Sequence, residues 1–118
     1  MTRRALIIDD DPDLRELIRT LLEHHDFEVE TLADGIDAVE LARAYDVILL
    51  DMKMPVFDGA RLTDYWLLTN PDVLRRVIVL SGFSSVARRT PLPVYATLAK
   101  PFDYDELLAV VEQCAANV

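Results

Sequence analysis

Five side chains in this sequence suit the handling of a phosphoryl group, and each follows an apolar run. Asp9 and Asp10 follow Ala5–Ile8, Asp51 follows Val47–Leu50, Ser81 follows Arg76–Leu80, and Lys100 follows Tyr95–Ala99. Three carboxylates brought together repel one another. A hard divalent cation removes that conflict. Magnesium takes oxygen ligands in an octahedron and keeps several waters, so two or three carboxylates and a carbonyl suffice. A carboxylate beside it can attack phosphorus and form an acyl phosphate. The transferring group needs positive charge on its equatorial oxygens. Magnesium and Lys100 can supply that charge, and the Ser81 hydroxyl can donate one hydrogen bond. Together the residues form a part list for phosphoryl transfer to Asp51.

Taken singly, each has a plainer reading. An acid at a strand end is commonly a solvated loop residue or a helix cap, and Asp11, just before Pro12, reads as such a cap. A lone serine is commonly a turn residue, and a lone lysine a surface charge. The weight lies in their joint placement at strand ends.

The elements that must position them alternate. Ala5–Ile8 reads as a short strand. Pro12 opens a helix on which Leu14, Leu17, Ile18, Leu21 and Leu22 share one face at helical spacing. Phe27–Thr31 alternates as an edge strand, Asp34-Gly35 turns the chain, and Ile36–Arg43 reads as a short helix. Val47–Leu50 is a buried strand. A loop leads to a helix from about Ala60, followed by the buried strand Arg76–Leu80 and a weaker strand Tyr95–Ala99. Tyr104–Ala116 closes the chain as a helix with Leu107, Leu108, Val111 and Cys114 on one face. Strands that alternate with helices imply crossover units and a parallel sheet covered on both sides. Such sheets bind ligands beyond the carboxyl ends of their strands, where the five residues fall. The segment from Ser81 to Tyr95 holds Pro91 and Pro93 and predicts a short or irregular fourth helix.

The 118 residues suit one domain, 1–118. With 52% apolar residues the chain can build a core, and disorder is not expected. No apolar run reaches membrane-spanning length, and the N-terminal run is too short for a signal peptide. A single cysteine, Cys114, excludes an internal disulfide and a zinc cluster and fits a reducing, cytoplasmic setting. A net charge of −9 argues against direct nucleic-acid binding.

The motifs "LIIDDDPDLRELI", "DVILLDMKMPVFDG", "VIVLSG" and "LAKPF" resemble those of the receiver domain of two-component response regulators. The resemblance runs from Leu6 to Phe102 and on through the last helix. It implies a flavodoxin-like, doubly wound α/β fold with five parallel strands in the order 2-1-3-4-5. It makes Asp51 the phosphoacceptor, with Asp9 and Asp10 as the acidic pair. Asp10 is favoured as the direct magnesium ligand, and Asp9 as acting through water. The Lys53 carbonyl would be a further ligand, Ser81 the hydroxyl that reaches the phosphoryl group, and Lys100 the family's lysine, with a cis bond to Pro101. Asp58-Gly59 matches the turn into the third helix. Lys53 and Phe83, two residues beyond Asp51 and Ser81, read either as side chains that border the phosphoryl group, as at these positions in the family, or as ordinary loop residues.

A receiver takes its phosphoryl group from a histidine kinase or phosphotransfer histidine and switches conformation to control a partner or output domain. Such a chain is no turnover enzyme, since it catalyses only its own phosphotransfer and autodephosphorylation. It could stand alone, serve in a phosphorelay, or be excised from a longer protein such as a hybrid kinase. Two alternatives compete. A haloacid-dehalogenase-type phosphohydrolase also uses an aspartate nucleophile, but it carries a second aspartate two residues later, where this chain has Lys53. A degenerate receiver would act only as a protein-binding module, and the full set of acids, Ser81 and Lys100 argues against it. The chain departs from the family at Thr97, where an aromatic ring usually stands three residues before the lysine. His24 and His25 at the first helix end read as dipole complements. Tyr65, Trp66 and Cys114 read as packing residues.

Overall fold

The computed structural model describes residues 2–38, 44–52, 59–82 and 93–116. Strand β1 (Arg3–Ile8) leads to helix α1 (Pro12–His24) and strand β2 (Phe27–Leu32), and a 3-10 turn covers Gly35–Ala38. Strand β3 (Val47–Asp51) precedes helix α2 (Gly59–Thr69), a 3-10 helix over Pro71–Arg76 and strand β4 (Val77–Ser81). Strand β5 (Ala96–Ala99) and helix α3 (Tyr104–Ala116) follow. The five strands are parallel in the order β2-β1-β3-β4-β5, the flavodoxin-like order expected.

Alternation along each strand divides the interior in two. Ala5, Ile7, Val47, Leu49, Ile78, Leu80 and Leu98 face a core built with Ile18 and Leu22 of α1 and Leu107, Val111 and Cys114 of α3. Leu6, Ile8, Ile48, Leu50, Val77 and Val79 face the other core, with Leu62 and Trp66 of α2 and with Ala38, Tyr45, Val73 and Leu74. Strands β3 and β4 are buried at every residue, which explains their unbroken apolar runs. Each fully buried Leu or Ile contributes roughly 1.5–3 kcal/mol, so the central strands are fixed by two cores at once.

Helix α1 starts where its sequence predicts. Asp11 adopts an extended conformation, and its carboxylate accepts from the amides of Asp13 and Leu14, while Pro12 fills the first turn. His24 stands in the last turn, and the next residue but one, Asp26, has a φ of 69°.

The structure revises several boundaries. Strand β1 begins at Arg3, because Arg3 and Arg4 extend the pairing to Phe27 and Glu28. The Arg3 guanidinium lies 4.1 Å over the Phe27 ring and 2.7 Å from Glu112. Arg76 belongs to the 3-10 helix, not to β4, and donates to the Tyr45 carbonyl at 2.8 Å. Leu17 is 52% exposed and Tyr65 38% exposed, so neither is a packing residue, whereas Trp66 and Cys114 are buried. The expected helix Ile36–Arg43 is represented by the 3-10 turn, and residues 39–43 lie outside the described residues. So do residues 83–92, on which the expected fourth helix falls.

Candidate functional site

The pairing register sets the carboxyl ends of four strands side by side. Ile8 pairs with Leu50, Asp51 with Leu80, and Ser81 with Ala99. Asp9 leaves β1 one residue beyond Ile8, and Lys100 leaves β5 one residue beyond Ala99. The sheet therefore delivers Asp9, Asp51, Ser81 and Lys100 to one edge. Asp9, Asp51 and Ser81 are buried, and Asp10 is exposed.

Lys100 closes this edge. Its Nζ donates to Asp9 Oδ2 at 3.0 Å and to Asp51 Oδ1 at 3.3 Å. Its backbone amide donates to the Ser81 carbonyl at 2.7 Å, and its bond to Pro101 is cis. Burial works to lower the lysine pKa and is the largest single influence on it. The hydrogen bond and charge of Asp9, with those of Asp51, together outweigh burial and raise it above the usual 10.5. The ammonium is therefore held charged against two buried carboxylates.

Asp9 is anchored on all sides. Its amide donates to the Leu32 carbonyl at 3.1 Å, and its Oδ1 accepts from the Asp11 amide at 2.9 Å. Its carbonyl accepts from Arg15 Nη1 at 2.7 Å. The Arg15 contact joins α1 to the acidic turn and has no signature in the sequence. Beyond β3, the Met52 amide donates to the Leu80 carbonyl at 3.0 Å. The Met52 carbonyl in turn accepts from the Gly59 amide at 3.2 Å. A Cβ on Gly59 would strike the Asp51 carbonyl oxygen and come within 2.9 Å of Met52 Cα. None of the described glycines has a positive φ. Gly59 is thus required for space, because α2 begins against the backbone that carries Asp51.

Asp9, Asp10 and Asp51 each place a carboxylate oxygen within 4.8 Å of the others. Three hard oxygens around one small volume fit a divalent cation such as magnesium, and their charge exceeds what one lysine neutralises. Lys53 and Phe83 lie outside the described residues, as does Asp58. Thr97 is exposed on β5. Tyr95, the nearest aromatic residue, packs against the core shared by α1 and α3, and its amide is held by the carbonyls of Leu74 and Val77.

Parallel strands in this order, with an acidic pocket and a lysine at their carboxyl ends, define a receiver fold. The family model described as the response regulator receiver domain matches residues 5–112, and the chain belongs to that family. The protein Rrf1 of Nitratidesulfovibrio vulgaris is 31% identical over 120 residues, covering 99% of this chain and 86% of that protein. The response regulator MprA of Mycobacterium ulcerans is 35% identical over 114 residues, covering 92% of this chain and 48% of that protein. The chain thus spans only about half the length of several curated relatives that it matches. Among solved structures, the receiver domain of the sensor histidine kinase PA1611 from Pseudomonas aeruginosa superposes with a TM-score of 0.83 at 28% identity. That match covers 98% of this chain and 99% of that one, which has a magnesium ion coordinated in its active site cleft. The family acts as a phosphoacceptor switch in two-component signalling. No helix among the described residues is long and apolar enough to cross a membrane.

Proposed function

We propose that residues 1–118 form one cytoplasmic receiver domain in which Asp51 accepts the phosphoryl group. The observation that carries this reading is the position of Lys100 Nζ between the buried carboxylates of Asp9 and Asp51. The donor is a phosphohistidine on a kinase or phosphotransfer protein.

An Asp51 carboxylate oxygen attacks phosphorus, the P–N bond breaks, and the imidazole leaves with the electron pair. Lys100 turns from Asp51 toward a phosphoryl oxygen, and the Ser81 hydroxyl donates to another. Asp10 and Asp51 would hold magnesium directly, Asp9 through water, and the Lys53 carbonyl would add a ligand. Bound there, the ion would neutralise charge on the phosphoryl oxygens. Position 53 is a lysine, so it offers no second carboxylate for turnover of external phosphoesters. The domain serves as a switch, and its output passes to a partner or further domain and not directly to nucleic acid.

Labelling with acetyl phosphate and magnesium tests the assignment. One hydroxylamine-labile phosphoryl group is expected on the wild type and none on Asp51→Asn. Equal labelling of the mutant, or a hydroxylamine-stable label, rules Asp51 out. Failure of every donor to label the wild type would leave a protein-binding module instead.

A further inference from the structure

Asp9 is anchored at its amide, its carbonyl and both carboxylate oxygens. Asp10, the exposed member of the acidic trio, has no side-chain hydrogen bond to another described residue. The place of its carboxylate is therefore set by its backbone. Two peptides flank it. The Asp10–Asp11 peptide is held by its N–H on Asp9 Oδ1 at 2.9 Å. The Asp9–Asp10 peptide is held by its carbonyl oxygen, which accepts from Arg15 Nη1 at 2.7 Å.

We propose that Arg15 is a positioning residue of the metal site, fixing the Asp9–Asp10 peptide so that the Asp10 carboxylate stays within reach of Asp51. This rests on the reading of the acidic trio as a magnesium site. Arg15 sits one turn into α1, whose start is locked by the Asp11 cap, so its guanidinium reaches back from a rigid base. It reaches that carbonyl through one N–H of a planar, rigid guanidinium, a geometry that a lysine ammonium on its flexible stem reproduces less well. Groups that orient ligands from behind commonly matter to affinity by about tenfold or more.

The sign of the effect separates positioning from bulk charge. Arg15 is a cation near a cation site, so as a mere charge it repels magnesium, and removing it would tighten binding. As a positioning residue it holds a ligand in place, and removing it weakens binding.

Calorimetric magnesium titrations of the wild type, Arg15→Gln and Arg15→Lys, with the metal-free Asp10 amide followed by NMR, test this. Arg15→Gln is expected to bind magnesium about tenfold more weakly, with a shifted Asp10 amide, and Arg15→Lys to recover part of the loss. In an Asp10→Asn background, Arg15→Gln should add little, because the two residues act in series. Unchanged or tighter binding by Arg15→Gln overturns the proposal, as does full additivity with Asp10→Asn. If Arg15→Gln does not fold, Arg15→Lys decides, and wild-type affinity in it overturns the proposal. A wild type that binds no magnesium overturns the underlying site reading instead, and this proposal with it.

Discussion

Lys100 Nζ lies closer to Asp9, at 3.0 Å, than to Asp51, at 3.3 Å. The lysine thus bridges two buried acids, with Asp9 its nearer partner. Both carboxylates depend on it while the site holds no metal.

Lys100→Met should therefore destabilise the metal-free domain. Removing one member of a buried ion pair costs roughly 3–5 kcal/mol. The lysine side chain is 26% exposed, and solvent screening brings the expected loss to about 2 kcal/mol. Magnesium should then stabilise the mutant more than the wild type, since its competitor for the same oxygens is gone. Urea melts with and without magnesium check both signs, and a mutant as stable as the wild type without metal would contradict the pairing.

Gly59→Ala should fail for want of space. Helix propensity alone would favour alanine by up to about 1 kcal/mol. The new methyl would meet backbone atoms of Asp51 and Met52 that cannot rotate away. Overpacking of this kind costs roughly 1–3 kcal/mol, so the clash wins. The shift falls on Asp51, the residue proposed to accept the phosphoryl group. Labelling by acetyl phosphate should slow by more than the loss of stability explains, and an alanine variant that is both stable and fast would refute the requirement.

Alkaline stability should fall between about pH 10 and 12. Burial pushes Tyr45 up from 10.0 to about 12, aided by the hydrogen bond and charge of Glu30 and opposed by Arg4. Lys100 is also raised above its ordinary value. In that window the unfolded chain releases protons that the fold retains, so stability drops as pH rises. The Tyr45 share is on the order of 2 kcal/mol. Urea melts across this range should show a shallower loss for Tyr45→Phe, with the residual loss carried by Lys100. Parallel curves for mutant and wild type would show that the Tyr45–Glu30 bond has no such weight.

The site was largely legible because its residues are delivered by the most regular part of the fold. Unbroken apolar runs announce the central strands, which are buried on both faces, and a residue just past a strand end has little choice of position. Asp9, Asp51, Ser81 and Lys100 follow from that alone. What escaped reading depends on long side chains reaching across elements. Arg15 on the Asp9 carbonyl and Arg76 on the Tyr45 carbonyl leave no spacing signal, because an arginine can serve many partners. The 3-10 helix over Pro71–Arg76 was hidden for a related reason. Val73 and Leu74 are buried in a turn too short to show a period. Leu17 misled in the opposite sense. It has helical spacing with the core residues but sits at the rim of the stripe, where periodicity cannot tell inside from edge.

The Lys100–Asp9 bridge spans ninety-one positions of sequence, and this bears on how the chain is made. Asp9, Asp51 and Ser81 leave the ribosome well before the cation that reconciles them. A nascent chain that has docked its first four strands brings these acids together before Lys100 can pair with them. A product that terminates before residue 100 keeps the acids and loses the lysine. Chemical competence therefore arrives late in synthesis, with the final strand. A truncated chain would keep the acidic cluster without the ammonium that pairs with Asp9 and Asp51.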